Sequence, residues 1–226
     1  MSDAIYFNLD DYRQVAFELA KKIPFYVAEG IFQFGSTVYG NKKPEDVDMI
    51  VVYQSSTFFD DVQIVSGNYN VNAYHIDTFT EMLLNHKIDA LECLFIPKTV
   101  YSYVSPILQR VFNSFVLNKE QLRRSISSTS SNSYAKAKKK IIVKEDFDIA
   151  SSIKSLWHSF RIMQFGIQLA KNNKISNFKE TNSMFLEIIH KYINSKSNWG
   201  EIHAEFKPQM NKLHSEFKLL CPLVEE

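Results

Sequence analysis

The chain has 226 residues, 45% of them hydrophobic and 14% aromatic, enough to bury a core in one compact unit or two small packed domains. Lys plus Arg number 26 against 25 for Asp plus Glu; the resulting net charge of +1 excludes an overall pull toward nucleic acid or an anionic membrane, so phosphate binding must come from local clusters. Only Cys93 and Cys221 are present, which excludes a disulfide framework, and no basic leader follows Met1 and no run nears the ~18 apolar residues that span a bilayer, so the expectation is a cytoplasmic protein with no membrane contact.

Asn8-Leu9-Asp10-Asp11 opens a helix, with Asn8 as N-cap, and Lys21-Lys22 close it with the sign its dipole favours. Tyr12, Val15, Ala16, Leu19, Ala20 and Ile23 recur at helical spacing, and Pro24 stops the helix. Residues 25–34 read as extended, with Ile31 to Phe34 a short buried strand that ends in a tight turn at Gly35-Ser36. A polar loop at 41–45 leads into Val47 to Tyr53, a strand rich in β-branched residues. Gln63 to Val65 and Val71 to Ile76 are weaker strands around a Gly67-Asn68 turn. Thr78-Phe79-Thr80-Glu81 has the form of a capping box for a helix running toward Lys87, and Asp89 to Leu94 forms a second short helix ending before Pro97.

Strand signals stop near residue 105, which divides the chain into 1–104 and a helical 105–226. Within 120–140 the serine-rich run from Ser125 to Ser133 competes with helix formation, so a broken or mobile helix is expected. Asp148 to Lys171 carries Ile149, Ile153, Leu156, Trp157, Phe160, Met163, Ile167 and Ala170 at a 3.6 period. Helices near Thr181 to Asn194 and Gly200 to Leu220 complete this half; no internal repeat occurs.

Chemistry converges on the first two strands: one ends in Gly-Ser, and the next begins with Asp46-Val47-Asp48. Alternate side chains of a strand share a face, so the two carboxylates project together about 7 Å apart at ~3.3 Å per residue. They would repel unless a divalent cation lay between them, and hard oxygen donors suit Mg²⁺ or Mn²⁺. Gly35 allows a phosphate close to the backbone, and Ser36 can hydrogen-bond a phosphate oxygen. Each feature alone is common; in this order and spacing they fit a nucleoside triphosphate attacked at its α phosphate with release of pyrophosphate.

Phe34-Gly35-Ser36-Thr37-Val38-Tyr39-Gly40, followed by Glu45-Asp46-Val47-Asp48 and an apolar strand, resembles the signature of the DNA polymerase β-type nucleotidyltransferase superfamily. The Gly-Ser-x-x-Tyr-Gly form is most similar to the predicted nucleotidyltransferases of the RNA repair pathway polymerase β family. The similarity continues through Ala73 to Phe79, Leu83 to Phe95 (with Asp89 where a proline is usual), Tyr134-Ala135-Lys136 and Leu156 to Arg161, spanning 25 to about 175. It implies an α/β (α+β) fold: a nucleotidyltransferase domain with a mixed β-sheet flanked by helices, followed by a C-terminal helical bundle. The implied activity transfers an NMP, with ATP the leading donor, to a hydroxyl of RNA, or alternatively of a protein, as in toxin–antitoxin or phage counter-defence systems. A nucleotide- or RNA-binding relative with weakened turnover is the other reading. Lys, Asn, Ser and Phe usage suggests an AT-rich, viral genome, which would place the protein in host cytoplasm.

The superfamily carries a third carboxylate on the strand before the capped helix, where this chain offers Asn70 and Asn72, which bring metal-coordinating oxygens but no charge. Asp77 lies too near the helix start, and Asp60 or Asp61 would reach the site only after a register shift. The candidate metal ligands are therefore Asp46, Asp48, Asn70 and Asn72, with Gly35, Ser36 and Tyr39 beside the nucleotide. Lys154, His158 and Arg161 fall at i, i+4 and i+7, a cationic edge for a nucleotide or simply a solvated face. Tyr134 with Lys136, Lys138, Lys139 and Lys140 resembles a nucleic-acid-binding strip with one stacking aromatic; an exposed helix end fits equally.

Overall fold

A computed structural model describes residues 9–39, 46–97, 100, 102–193 and 198–223, with all of their side chains except those of 9–12 and 37. The expected cap Asn8, the Tyr12 side chain, Gly40, the loop at 41–45 and Asn194 lie outside the described residues. The chain divides into two compact units, one of residues 1–84 with 89–116, the other of 85–88 with 117–226. Among the described residues no helix is long and apolar enough to cross a membrane.

The first unit is a mixed five-stranded sheet, the α+β architecture expected, with strands β1 (Val27–Phe34), β2 (Val47–Gln54), β3 (Val62–Ser66), β4 (Tyr69–His75) and β5 (Ser102–Val104) in the order β3-β4-β2-β1-β5. β2 runs parallel to β4 and antiparallel to β1, which makes it the buried centre of the sheet. Its alternation explains both layers. Val47, Met49, Val51 and Tyr53 pack with Ile31, Val71 and Ala73, with Val15 and Leu19 of α1 (Leu9–Lys22), and with Ile23 just beyond it. On the other face, Phe32 of β1 stacks on Phe79 of α3 (Ile76–Leu84) at 6.4 Å and tilts against Phe112 of α5 (Pro106–Ser114) at 6.1 Å. Ile50 and Val52 are buried in that second row, which Asp48 begins. A one-residue slip of β2 would drive Asp48 into the α1 core, so burial fixes the register that positions the site.

α2 (Ser36–Tyr39) follows β1 directly, and α4 (Ile88–Leu94) follows α3. β4 ends at His75, earlier than the expected Ile76, and α3 starts two residues before the expected Thr78 cap. The reason is local: the His75 ring accepts the Asp77 N–H at 3.4 Å and takes the capping role, while Thr80 Oγ1 donates to Ile76 O at 2.7 Å. β5 and α5 are additional to the sequence reading. Ser105 caps α5 through the Leu108 N–H with Pro106 in the first turn, and its backbone N–H donates to Glu29 O, so α5 belongs with the first unit, beyond the boundary drawn at 105.

The second unit holds α6 (Lys119–Ile142), a 3-10 turn at Lys144–Asp146, α7 (Ile149–Asn172), α8 (Asn182–Tyr192) and α9 (Trp199–Leu220). α6 is one continuous helix, against the expectation of a break. Ser130 Oγ is taken up by the neighbouring helix, donating to Ser159 O at 2.8 Å, and Thr129 Oγ1 donates back to Ser125 O at 2.8 Å, while the buried Ser125 Oγ makes no hydrogen bond among the described residues. These small side chains let α7 approach closely, and Ser152 Oγ returns a bond to Ala137 O at 2.8 Å. α7 is buried on almost all sides as the central helix of its unit, capped by Asp148 at one end and by Asn173 at φ 55 at the other.

Candidate active site

Gly35 ends β1 with φ +66, and a Cβ built on it would stand 2.3 Å from Asp48 Oδ2. The bare Cα thus accommodates a carboxylate of the chain itself, an approach no other residue type permits. Pairing enforces it, because Phe34 lies opposite Asp48 in the β1–β2 ladder. Gly35 O accepts from the Val38 N–H at 3.0 Å, starting α2, so Ser36 occupies the first helical position, half-buried. Tyr39, the last residue of α2, is only 3% exposed.

Val47 turns into the core, so Asp46 and Asp48 lie on the opposite face, both half-buried. β4 runs beside them with Asn70 opposite Asp48 and Asn72 opposite Ile50. Asn70 Nδ2 donates to Asp46 Oδ2 at 2.9 Å. Asn72 is one step further along the same face, half-buried between Val71 and Ala73. Among the described residues no cluster of three His, Cys, Asp or Glu side chains is built to hold a metal ion. Asp46 and Asp48 offer two carboxylates, hard oxygen donors of the kind a divalent ion takes, and Asn70 and Asn72 lie beside them on β4 with the Asn70 amide nitrogen turned to Asp46.

The other acids near these strands belong to the far end of the sheet. Tyr53 pairs with His75, and Tyr53 OH donates to Asp60 O at 2.7 Å. Burial, then Asp61 and Asp60, pushes the Tyr53 phenol up to about 12. Asp61 is itself raised by burial and by Asp60, and Asp77 Oδ2 lies 3.4 Å from His75 Nδ1. From Asp46 to Tyr53 is roughly 23 Å at ~3.3 Å per residue, so none of these acids completes the site around Asp46.

In the second unit Arg161 and His158 come together: the guanidinium donates to His158 Nδ1 at 2.9 Å. Arg161 is 3% exposed and lies 5.7 Å from the Trp157 ring and 5.4 Å from that of Phe165, so it is enclosed rather than arrayed on a cationic edge. Burial, then Arg161, Lys154 and Lys136, drives the His158 imidazole well below its ordinary value and keeps it neutral. Lys154 is exposed beside it, and Lys136 of α6 adds to the same positive field.

The basic strip does not form as one surface. At 100° per residue, Lys136 and Lys140 share a face while Lys138 points nearly opposite. Lys139 and Lys140 both pair with Asp146, at 3.1 and 2.8 Å. Tyr134 is built into α6–α9 packing: its OH is 3.1 Å from His203 Nδ1, its ring meets Trp199 edge-on at 5.4 Å, and Lys207 Nζ lies 5.4 Å from its centroid. Burial raises its phenol to about 12.

No protein-family model and no curated protein matches the chain. Solved structures resemble it, two of which are as follows. A spectinomycin adenyltransferase from Enterococcus faecialis, solved with ATP and spectinomycin, has a TM-score of 0.48 and 14% identity over 92% of this chain and 98% of that one. A nucleotidyltransferase-like protein from Exiguobacterium sibiricum has a TM-score of 0.33 and 8% identity over 92% of this chain and 73% of that one.

Two features of the site escaped the sequence. The bond from Asn70 to Asp46 depends on the parallel register of β2 and β4, for which separate segments give no signal. Lys136 joins His158 only because α6 lies along α7; within its own segment it reads as one more lysine in a run.

Proposed function

We propose that this chain is a metal-dependent nucleotidyltransferase that moves an AMP group from ATP to a hydroxyl acceptor, with RNA as the acceptor. The observation that carries the reading is the seating of the Asp48 carboxylate directly against Gly35, the residue after which Ser36 opens α2. Asp46 and Asp48 would hold a divalent ion, which when bound neutralises phosphate charge and favours ionisation of the acceptor hydroxyl. Ser36 donates its hydroxyl to a phosphate oxygen. The acceptor oxygen bonds to the α phosphorus, the bond from that phosphorus to the α–β bridging oxygen breaks, pyrophosphate leaves, and the hydroxyl proton passes to solvent. We assign this chemistry to the first unit. In the second, Lys154 and Lys136 around neutral His158 supply a positive field for a nucleotide or RNA phosphate. The sequence resemblance to the RNA repair family supports the RNA acceptor.

Asn70 in place of a third carboxylate favours a second reading, a nucleotide-binding relative with weak turnover. Incubation with α-labelled ATP, Mg²⁺ or Mn²⁺, and either total RNA or a cell lysate separates them. Label on RNA that disappears in Asp48→Asn is the expected result. A labelled protein band would replace the acceptor, and ATP binding without any labelled product would favour the second reading.

A further inference from the structure

Asn70 and Asp46 face each other across the parallel β2–β4 pair, with Asn70 Nδ2 2.9 Å from Asp46 Oδ2. An ionised carboxylate only accepts hydrogen bonds, so the amide nitrogen, not the amide oxygen, must be the atom turned to Asp46. An oxygen that accepts this bond in that geometry is held in place and partly neutralised. The described residues around it provide two carboxylates and no third acid. A divalent ion of the Mg²⁺ type demands six oxygens in near-octahedral array and gives up its waters reluctantly. Two carboxylates, with Asp46 engaged by an amide, are a weak trap for such an ion, whereas a triphosphate brings further anionic oxygens with it.

We propose that Asn70 is a positioning residue that fixes Asp46 through its amide N–H, and that the site therefore takes a divalent ion only together with a nucleoside triphosphate, not from free solution. The inference deepens the transferase reading and rests on it. It makes Asn70 a selectivity device: the pocket ignores free metal and recognises the metal–nucleotide complex.

The test measures Mn²⁺ binding by electron paramagnetic resonance without nucleotide, and binding of a non-hydrolysable ATP by calorimetry with and without Mn²⁺, on wild type, Asp46→Asn, Asn70→Ala and Asn70→Asp. Wild type is expected to take up no more free Mn²⁺ than Asp46→Asn does, and to bind the ATP analogue at least ~10-fold more tightly when Mn²⁺ is present. Asn70→Asp, which restores charge at that position, is expected to gain free Mn²⁺ binding and a melting temperature that Mn²⁺ raises and chelation lowers. Asn70→Ala is expected to gain no free Mn²⁺ binding and to bind the Mn²⁺–nucleotide complex several-fold more weakly; it carries the test if Asn70→Asp does not fold. Free Mn²⁺ held by wild type and lost in Asp46→Asn overturns the inference and leaves the transferase reading intact, as does an Asn70→Ala protein that binds the complex like wild type. No binding of the analogue in either condition overturns both.

Discussion

At the Gly35 turn the backbone and the Asp48 carboxylate occupy the space that any side chain at residue 35 would need. Gly35→Ala adds a methyl 2.3 Å from Asp48 Oδ2 at a φ that alanine disfavours, so the carboxylate must move. The expected outcome is a loss of about 1–3 kcal/mol in urea unfolding together with a drop of at least ~10-fold in Mn²⁺-dependent nucleotide binding. His158 provides a pH signature. Because its folded-state value is depressed below the ordinary 6.5, the unfolded chain binds more protons as the medium acidifies. Its contribution is complete above about 6.5 and declines as pH falls through the window beneath. His214, also depressed by burial and by Lys207 and Lys218, acts in the same direction. Unfolding free energies measured from pH 8 to 5 should therefore fall with acid, and less steeply in His158→Gln.

Among the elements, those with long unbroken periodicity could be read from the chain directly. β2 and α7 belong to this group, because β-branched alternation and a 3.6 spacing need no partner to be seen. β5 could not, being a three-residue edge strand that is largely exposed. For α5 the chain carries a start signal in Ser105-Pro106, too short to stand out without the fold. α6 runs through its serines because the helix packs along α7, where Ser130 bonds to Ser159 O, a tertiary effect that local propensity does not contain. The site divides the same way: Gly35, Asp46 and Asp48 could be named from strand alternation, while the Asn70 bond and the enclosure of Arg161 required the fold. Two substitutions test these elements. Ser130→Leu inserts a large side chain where Ser130 is fully buried against Ser159 and Met210, and should cost about 1–3 kcal/mol by denaturant titration. Ser105→Ala removes both the α5 cap and the hydroxyl that donates to buried Glu29, and should cost about 2–3 kcal/mol in the same measurement.

For the molecule as a whole, the path of the chain departs from a simple succession of halves. Residues 85–88 leave the first unit, join the second, and return at Asp89 to build α4, β5 and α5 before the chain leaves for good at Val116. His86, at φ 53 and 2% exposed, accepts the Asn118 N–H at 2.8 Å through Nε2, and the Asn85 carbonyl accepts from Gln121 Nε2 at 3.3 Å. Both bonds tie that short excursion to the start of α6. A protease nick near residue 116 would therefore leave the amino-terminal fragment still clasped to its severed companion through His86. The pieces should co-elute under native conditions and separate only in denaturant, which makes this junction a natural place to divide the gene for a fragment-complementation reporter.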